Sequence, residues 1–114
     1  MNQAVHIWVQ RASTIPGVLA CGVRCADRSI VAQSADERFP IAWVQSAVRE
    51  IAEIASVLQH DRIATDRLRW RFENGRIHST AKDDGTVAAV IAMPQIELSP
   101  EIDGLLAEFQ NLGK

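Results

Sequence analysis

A chain of 114 residues with a hydrophobic fraction of 47% and a charged fraction of 23% has the composition of a globular protein, which excludes a disordered tail. Its length predicts one domain over residues 1–114. A net charge of -2 gives no overall attraction to nucleic acid or acidic membranes, and the longest apolar run, TVAAVIAMP, is far shorter than the ~20 residues of a transmembrane helix.

The first half of the sequence predicts a helix followed by a hairpin. Residues 3–13 place Val5, Trp8, Val9 and Ala12 on one helical side, although the β-branched cluster VHIWV keeps a strand open as the competing interpretation. The segments VLACGVRCA and SIVAQSA predict two strands joined by a turn at Asp27-Arg28.

A long helix follows, in FPIAWVQSAVREIAEIASVLQH, and is predicted to run to about Ile63. Its apolar residues span an arc of roughly 220°, about twice what one buried face needs. One stripe consists of Ile41, Val44, Val48, Ile51, Ala55 and Leu58, and a second consists of Trp43, Ala47, Ile54 and Val57. Either a partner protein covers the second stripe, or loops or the first helix of the same chain do.

The segment RLRWRFENGRIHSTAK predicts a hairpin turning at Asn74-Gly75, because a type I′ turn favours these residues. That turn would place Phe72 opposite Ile77 and Trp70 opposite Ser79. One face of the hairpin then carries Leu68, Trp70, Phe72 and Ile77, and the other carries Arg67, Arg69, Arg71, His78, Thr80 and Lys82.

The last two elements are a strand and a helix. TVAAVIAM is apolar on both faces, which predicts a central strand covered by helices on both sides. Small residues in the strands would let those helices approach closely: Ala20, Gly22, Ala88, Ala89 and Ala92. The final helix is predicted to begin at Ser99-Pro100 and to end at Gly113.

This order of elements resembles the Roadblock/dynein-light-chain domain family over nearly the whole chain. The segments that carry the resemblance are IPGVLACGVRCADRSIVAQS, WVQSAVREIAEIASVL and LRWRFENGRIHSTAKDDGTVAAVIAMP. One departure is that Asp27 is followed by Arg28 where the family often has glycine. The resemblance implies an α+β fold of the profilin-like, Roadblock type: a five-stranded antiparallel sheet with the middle helix on one face and the terminal helices on the other.

The resemblance also implies a function, that of a non-catalytic dimeric scaffold or regulatory subunit. Its partners would be a second copy or a related Roadblock-type subunit, together with a Ras-like small GTPase. The dimer would form through the middle helix and third strand, which here means Trp43, Ala47, Ile54, Val57, Arg69 and Trp70.

The residues themselves suggest no catalytic, cofactor or metal site. His6, His60 and His78 lack metal-ligand spacing, and Asp83-Asp84-Gly85 is predicted to be a turn and not a calcium loop. Cys21 and Cys25 lie about 13 Å apart in one extended segment, beyond disulfide reach. Free thiols and the absence of a secretory apolar region at the N-terminus predict a cytoplasmic protein. The sequence shows no grouped nucleophile, base or metal-ligand set, which predicts that the protein is not an enzyme.

The basic residues of the second hairpin form the one polar pattern above background. Arg67, Arg69, Arg71 and Lys82 form either a docking strip for an acidic partner or the solvated side of an edge strand. Nucleic acid is a poor candidate, because Trp70 and Phe72 lie on the opposite face and provide no stacking platform. A second function class is a profilin-like or PAS-like sensor, which would need a pocket with convergent polar groups.

Overall fold

The computed structural model describes residues 2–96 and 99–112, which form three helices and five strands. The elements in chain order are α1 (Asn2–Ser13), β1 (Val18–Arg24), β2 (Ile30–Ser34), α2 (Ile41–His60), β3 (Leu68–Phe72), β4 (Gly75–Ala81), β5 (Val87–Ala92) and α3 (Pro100–Gln110). The fold class is α+β, as predicted. No helix within the described residues has both the length and the apolar character needed to cross a bilayer.

The five strands form one antiparallel sheet in the order β2-β1-β5-β4-β3. β5 lies at the centre of the sheet. The first hairpin places β1 beside β5 and β2 beyond β1, and the second hairpin places β4 beside β5 and β3 beyond β4. β2 and β3 are therefore the two edges of the sheet, and α2 carries the chain from one edge to the other.

The terminal helices cover one face of the sheet. Val5, Trp8, Val9 and Ala12 of α1 are all buried there, so the helical period prevails over the β-branched cluster in this segment. Trp8 connects the two helices: its indole Nε1 donates to the carbonyl of Leu105 in α3 at 2.9 Å, and its ring meets Phe109 edge-on with 5.2 Å between centroids. Ser99 caps α3 by accepting from the backbone N–H of Ile102, as the Ser-Pro pair predicted.

The opposite face of the sheet carries α2, whose buried residues are Val44, Val48, Ile51, Ala52 and Ala55. The helix approaches β1 closely at Gly22. A Cβ atom there would lie 2.9 Å from Cγ2 of Val48 and 3.2 Å from the carbonyl oxygen of Val31. The small residues of the strands thus permit the close packing that the sequence predicted.

The first hairpin turns where Asp27-Arg28 was predicted to turn. The N–H of Cys25 donates to the carbonyl of Ser29, and the N–H of Arg28 donates to the carbonyl of Cys25, each at 2.8 Å. Asp27 Oδ1 accepts from both the N–H and the hydroxyl of Ser29. Arg28 has a φ of 74°, the left-handed conformation that glycine adopts at least cost. The chain therefore makes a glycine-type turn with an arginine.

The predicted register of the second hairpin was wrong by two residues. Phe72 pairs with Gly75 and Trp70 pairs with Ile77, so that Glu73 and Asn74 form the turn. A type I′ turn at Asn74-Gly75 requires positive φ at both residues, and neither has it. Gly75 instead lies buried in β4, where a Cβ would be 2.8 Å from the carbonyl oxygen of Ala92. A shift of two preserves the face of every side chain.

The predicted end of α2 was also wrong, by three residues. The helix ends at His60, and the N–H groups of Arg62 and Ile63 return to the carbonyls of Gln59 and Leu58. This is a Schellman motif with Arg62, at φ 62°, in the position that usually holds glycine. Because no glycine stands at this position, the sequence contains no stop signal there. The predicted stop at Gly113 lies outside the described residues.

Substitution of Gly22 by alanine should lower the free energy of unfolding by about 1–3 kcal/mol, because the new methyl group meets a core side chain and a backbone oxygen that cannot both retreat. Gly104→Ala is the matched control. Gly104 lies inside α3, and beyond its chain neighbours and the local helix backbone no atom lies within 4 Å of the position that a methyl group would occupy, so this change should raise stability by about 0.5–1 kcal/mol. Urea unfolding of the two variants checks both signs, and equal effects would contradict the close-packing argument.

Candidate interaction surface

The second apolar stripe of α2, which we call the outer stripe (Trp43, Ala47, Ile54 and Val57), lies away from the sheet. The side chains of Trp43, Ile54 and Val57 are 41%, 44% and 63% exposed, and Ala47 is half-buried. α1 lies on the other face of the sheet and so does not cover them. The large apolar residues of this stripe therefore stand in solvent, an arrangement that marks interaction surfaces.

Four residues of the first stripe are buried (Val44, Val48, Ile51 and Ala55), whereas Leu58 is only half-buried and Ile41 is exposed. Ile41 was predicted to be buried and is 51% exposed. Phe39 supplies the buried side chain at this end of the helix instead, and it lies in the same core cluster as Val44. Phe39 and Val44 occupy the two positions of a hydrophobic staple, immediately before the N-cap and four residues into the helix. Ile41 is therefore displaced outward.

An aromatic cluster joins the outer stripe to the edge strand β3. The ring centroid of Phe39 is 5.0 Å from that of Trp43 and 6.2 Å from that of Phe72, and the Trp43 and Phe72 centroids are 6.3 Å apart. Leu68, Trp70 and Phe72 of β3 are half-buried on this side of the sheet. The outer stripe and these three β3 residues thus form one continuous apolar surface beside an unpaired strand edge, which we call the apolar surface.

The basic row of the second hairpin lies on the opposite side of the sheet, and α3 engages part of it. Arg67 Nη1 forms an ion pair with Asp103 Oδ1 of α3 at 2.5 Å, and Arg69 Nη2 lies 3.7 Å from the same oxygen. Lys82 Nζ donates to the carbonyl of Leu112 and lies 5.1 Å from the centre of the Phe109 ring. Arg67 and Lys82 therefore hold α3 on the sheet, while Arg69 and Arg71 remain exposed at the edge.

His78 is buried beneath this basic row. Its Nε2 lies 3.3 Å from the carbonyl oxygen of Ile96, and its Nδ1 has no hydrogen-bond partner among the described residues. Burial lowers the pKa of His78, and the charges of Arg69 and Arg67 lower it further, against the opposing influence of the Ile96 carbonyl and Asp103. His78 is thus a packed histidine, whereas His6 and His60 are exposed.

The cysteines and acidic residues do not assemble a reactive centre in the described part of the chain. Cys21 and Cys25 are both free and buried, and burial raises the pKa of Cys21 to about 12, which keeps it protonated near neutrality. Asp84 accepts from the N–H of Thr86, and Gly85 has a φ of 92°, so Asp83-Asp84-Gly85 forms a turn. No three histidine, cysteine or acidic side chains within residues 2–96 and 99–112 are placed to share a metal ion.

A partly open cavity of about 610 Å³ lies at the end of the sheet where the β1–β2 and β4–β5 turns meet the C-terminal half of α2. Arg24, Arg28 and Arg49 line it. The sequence pattern does not reveal this feature, because its residues come from three separate segments (24–30, 49–59 and 81–87) that only the fold brings together.

Comparison with solved structures identifies the fold. The chain is similar to the crystal structure of a Roadblock/LC7 domain from Streptomyces avermitilis, with 15% sequence identity, a TM-score of 0.56, and coverage of 96% of this chain and 94% of that one. No family sequence model matches the chain, and no curated protein matches it significantly. The chain therefore has the Roadblock/LC7 fold, which confirms the predicted sheet and helix layers.

Stability should fall as the pH drops below about 6.5, the ordinary pKa of histidine in an unfolded chain. The pKa of His78 is lowered in the folded protein, so between the two values the unfolded chain binds the proton and the folded chain does not. His78→Gln keeps an N–H group for the Ile96 carbonyl but cannot titrate. We expect the urea midpoint of the wild type to decrease from pH 7 to 5.5 and that of the variant to change less. Identical pH dependence would contradict this role.

Proposed function

Proceeding from the Roadblock/LC7 fold, we propose that this protein is a dimeric, non-catalytic scaffold or regulatory subunit that binds a protein partner, specifically a Ras-like small GTPase. The observation that carries the proposal is the apolar surface, which places an exposed helical stripe and an edge strand side by side. A protein rarely leaves such a combination in water without a partner. A second copy, or a related Roadblock-type subunit, would present a matching surface.

A two-fold axis beside β3 would satisfy both parts of the apolar surface at once. β3 would pair with its counterpart and extend the sheet across the two chains, while the outer stripes of the two α2 helices would pack together. Such an interface is self-complementary, as closed dimers require. Trp43 and Trp70 would supply the large aromatic contacts that dominate interface energetics, and Arg69 would lie at the rim.

The partner surface would lie close to the dimer seam. Arg69 and Arg71 are exposed on the edge strand, so dimerisation would bring two copies of each together. A concentrated positive field increases the association rate with an acidic partner surface and favours that partner over others. Arg67 and Lys82 contribute to the same field while they hold α3. Binding could stimulate GTP hydrolysis either by ordering the switch segments of the GTPase or by donating an arginine.

Two further features agree with a cytoplasmic protein that lacks an active site of its own. Both cysteines are free thiols, the form maintained in a reducing compartment. Burial raises the pKa of the Cys21 thiol and keeps it protonated, the opposite of what a nucleophile needs.

The profilin-like or PAS-like sensor is the alternative function, and the cavity of about 610 Å³ favours it. The size lies within the range of small-molecule sites, and polar groups line the cavity. The faces of the sheet, however, are occupied by close packing such as that between Gly22 and Val48. We therefore place dimerisation and partner binding first.

The wild-type protein should have twice the mass of the chain by light scattering, and Ile54→Glu should convert it to a monomer. A charge left unpaired in a dry apolar contact costs about 3 kcal/mol or more, which corresponds to a roughly hundredfold weaker dimer. Ala42→Glu is the control, because Ala42 is exposed on α2 outside the outer stripe and should tolerate the charge. A dimeric Ile54→Glu protein of unchanged stability would remove the outer stripe from the interface.

Charge reversal at the edge strand should weaken partner binding. We expect Arg69→Glu with Arg71→Glu to slow association with a Ras-like GTPase of the source organism by roughly tenfold at low salt, with a smaller effect at high salt. The double variant Arg49→Glu with Arg62→Glu is the matched control, since both residues are exposed and lie outside the basic row. Biolayer interferometry with the GTP-loaded GTPase measures the rates. Equal association by the two double variants would exclude a role for the basic row.

A further inference from the structure

The cavity at the end of the sheet, which we call the hairpin-end cavity, gathers basic side chains from three elements. Arg24 comes from the end of β1, Arg28 from the turn that follows, and Arg49 from α2. Arg24 and Arg28 are close in the sequence but belong to a strand and to the turn after it, and Arg49 lies in a separate helix. No helical or strand periodicity therefore predicts that the three side chains line one cavity. Their convergence is a property of the folded chain.

The three guanidinium groups retain most of their hydrogen-bonding capacity. Arg24 Nη1 donates to the carbonyl of Gly85 at 3.1 Å, but Arg24 forms no ion pair with another described residue. The side chains of Arg28 and Arg49 make neither a hydrogen bond nor an ion pair within residues 2–96 and 99–112. Each guanidinium has five N–H donors, so most donors of these three arginines have no acceptor among the described residues and are available to a ligand.

The shape and number of these donors favour a phosphoryl group over a carboxylate. A carboxylate has two oxygens and is satisfied by one arginine in a bidentate pair. A terminal phosphoryl group has three oxygens and carries about two negative charges near neutrality, so it can engage several arginines at once. Three arginines around one cavity therefore match a phosphoryl group better.

The acidic residues of the cavity limit which chemical groups the ligand can carry besides its phosphoryl group. Glu53, Asp83 and Asp84 also line it. Their charges would repel a ligand that is negative throughout, while their oxygens could accept from hydroxyl groups. A compact molecule with one phosphoryl group and several hydroxyl groups fits both sets of side chains, and a volume of about 610 Å³ accommodates a molecule of that size.

The cavity would remain open in the proposed dimer. Arg49 lies about 140° around the axis of α2 from Ile54, given 100° per residue. Arg49 and Ile54 are thus on different flanks of the same helix, so packing of the outer stripe around Ile54 would leave Arg49 accessible. We propose that the hairpin-end cavity is a binding site for a small phosphorylated polyhydroxy molecule, whose phosphoryl group is held by Arg24, Arg28 and Arg49.

The site can be tested by titrating the full chain with inorganic phosphate and, separately, with ribose 5-phosphate. The ¹H–¹⁵N resonances of the arginine Nε–H groups report binding in each titration. We expect saturable shifts at Arg24, Arg28 and Arg49, with ribose 5-phosphate binding more tightly than phosphate. Arg49→Gln should weaken ribose 5-phosphate roughly tenfold, the effect of losing one charge-assisted contact. Ribose without phosphate should give no saturable shift at these arginines.

A pair of glycine variants separates binding from stability. Arg28→Gly and Arg62→Gly each remove an arginine from a left-handed position, so both should raise the urea midpoint. Only Arg28→Gly should weaken ribose 5-phosphate binding, because Arg62 does not line the cavity. Ile54→Glu should bind ribose 5-phosphate like the wild type, since this site does not depend on the dimer. Absence of saturable binding, tighter binding of citrate, or equal losses in the two glycine variants would each overturn the assignment.

Discussion

The structure depends on the burial of both faces of one short strand. In β5, Ala88, Val90 and Ala92 face the layer of α1 and α3, whereas Val87, Ala89 and Ile91 face α2. A strand that is apolar on both sides is stable only if helices cover both sides of the sheet. The chain meets this requirement with two helices on one face and one long helix on the other.

This layering determines which surfaces remain incomplete. α2 packs mainly over β2, β1 and β5, so the α2 side of β3 is only half-buried. β3 is also an edge strand, and the outer stripe of α2 faces the same solvent region across the Phe39, Trp43 and Phe72 cluster. A single helix cannot cover five strands, and the apolar surface is the consequence.

The sequence predicted those features that depend on local periodicity. Element types, the buried sides of α1 and α3, and the faces of the second hairpin all followed from the spacing of apolar residues. Turn geometry was less predictable, because it depends on backbone angles that one residue pair does not determine. Asn74-Gly75 indicated a turn that Glu73 and Asn74 form instead, since Gly75 is needed where β4 passes close to β5. Arg28 and Arg62 occupy left-handed positions that sequence preferences assign to glycine.

Some parts of the candidate sites could also be predicted from the sequence and others could not, and the difference follows from how the two faces of the sheet are used. On the α1 and α3 face, polar side chains are used within the protein: Arg67 contacts Asp103, and Gln110 Nε2 donates to the hydroxyl of Thr80. These contacts fix α3 in place, which is why a basic row that suggests a docking strip in the sequence is partly a structural element. On the α2 face, the side chains that extend beyond the core are apolar at one flank of the helix and polar at the other, where Arg49 and Glu53 lie. The apolar flank is visible in the sequence as a helical stripe, whereas the polar flank forms a cavity only where the two turns meet it. Interaction sites built along one element can therefore be predicted from periodicity, and sites built between elements require the fold.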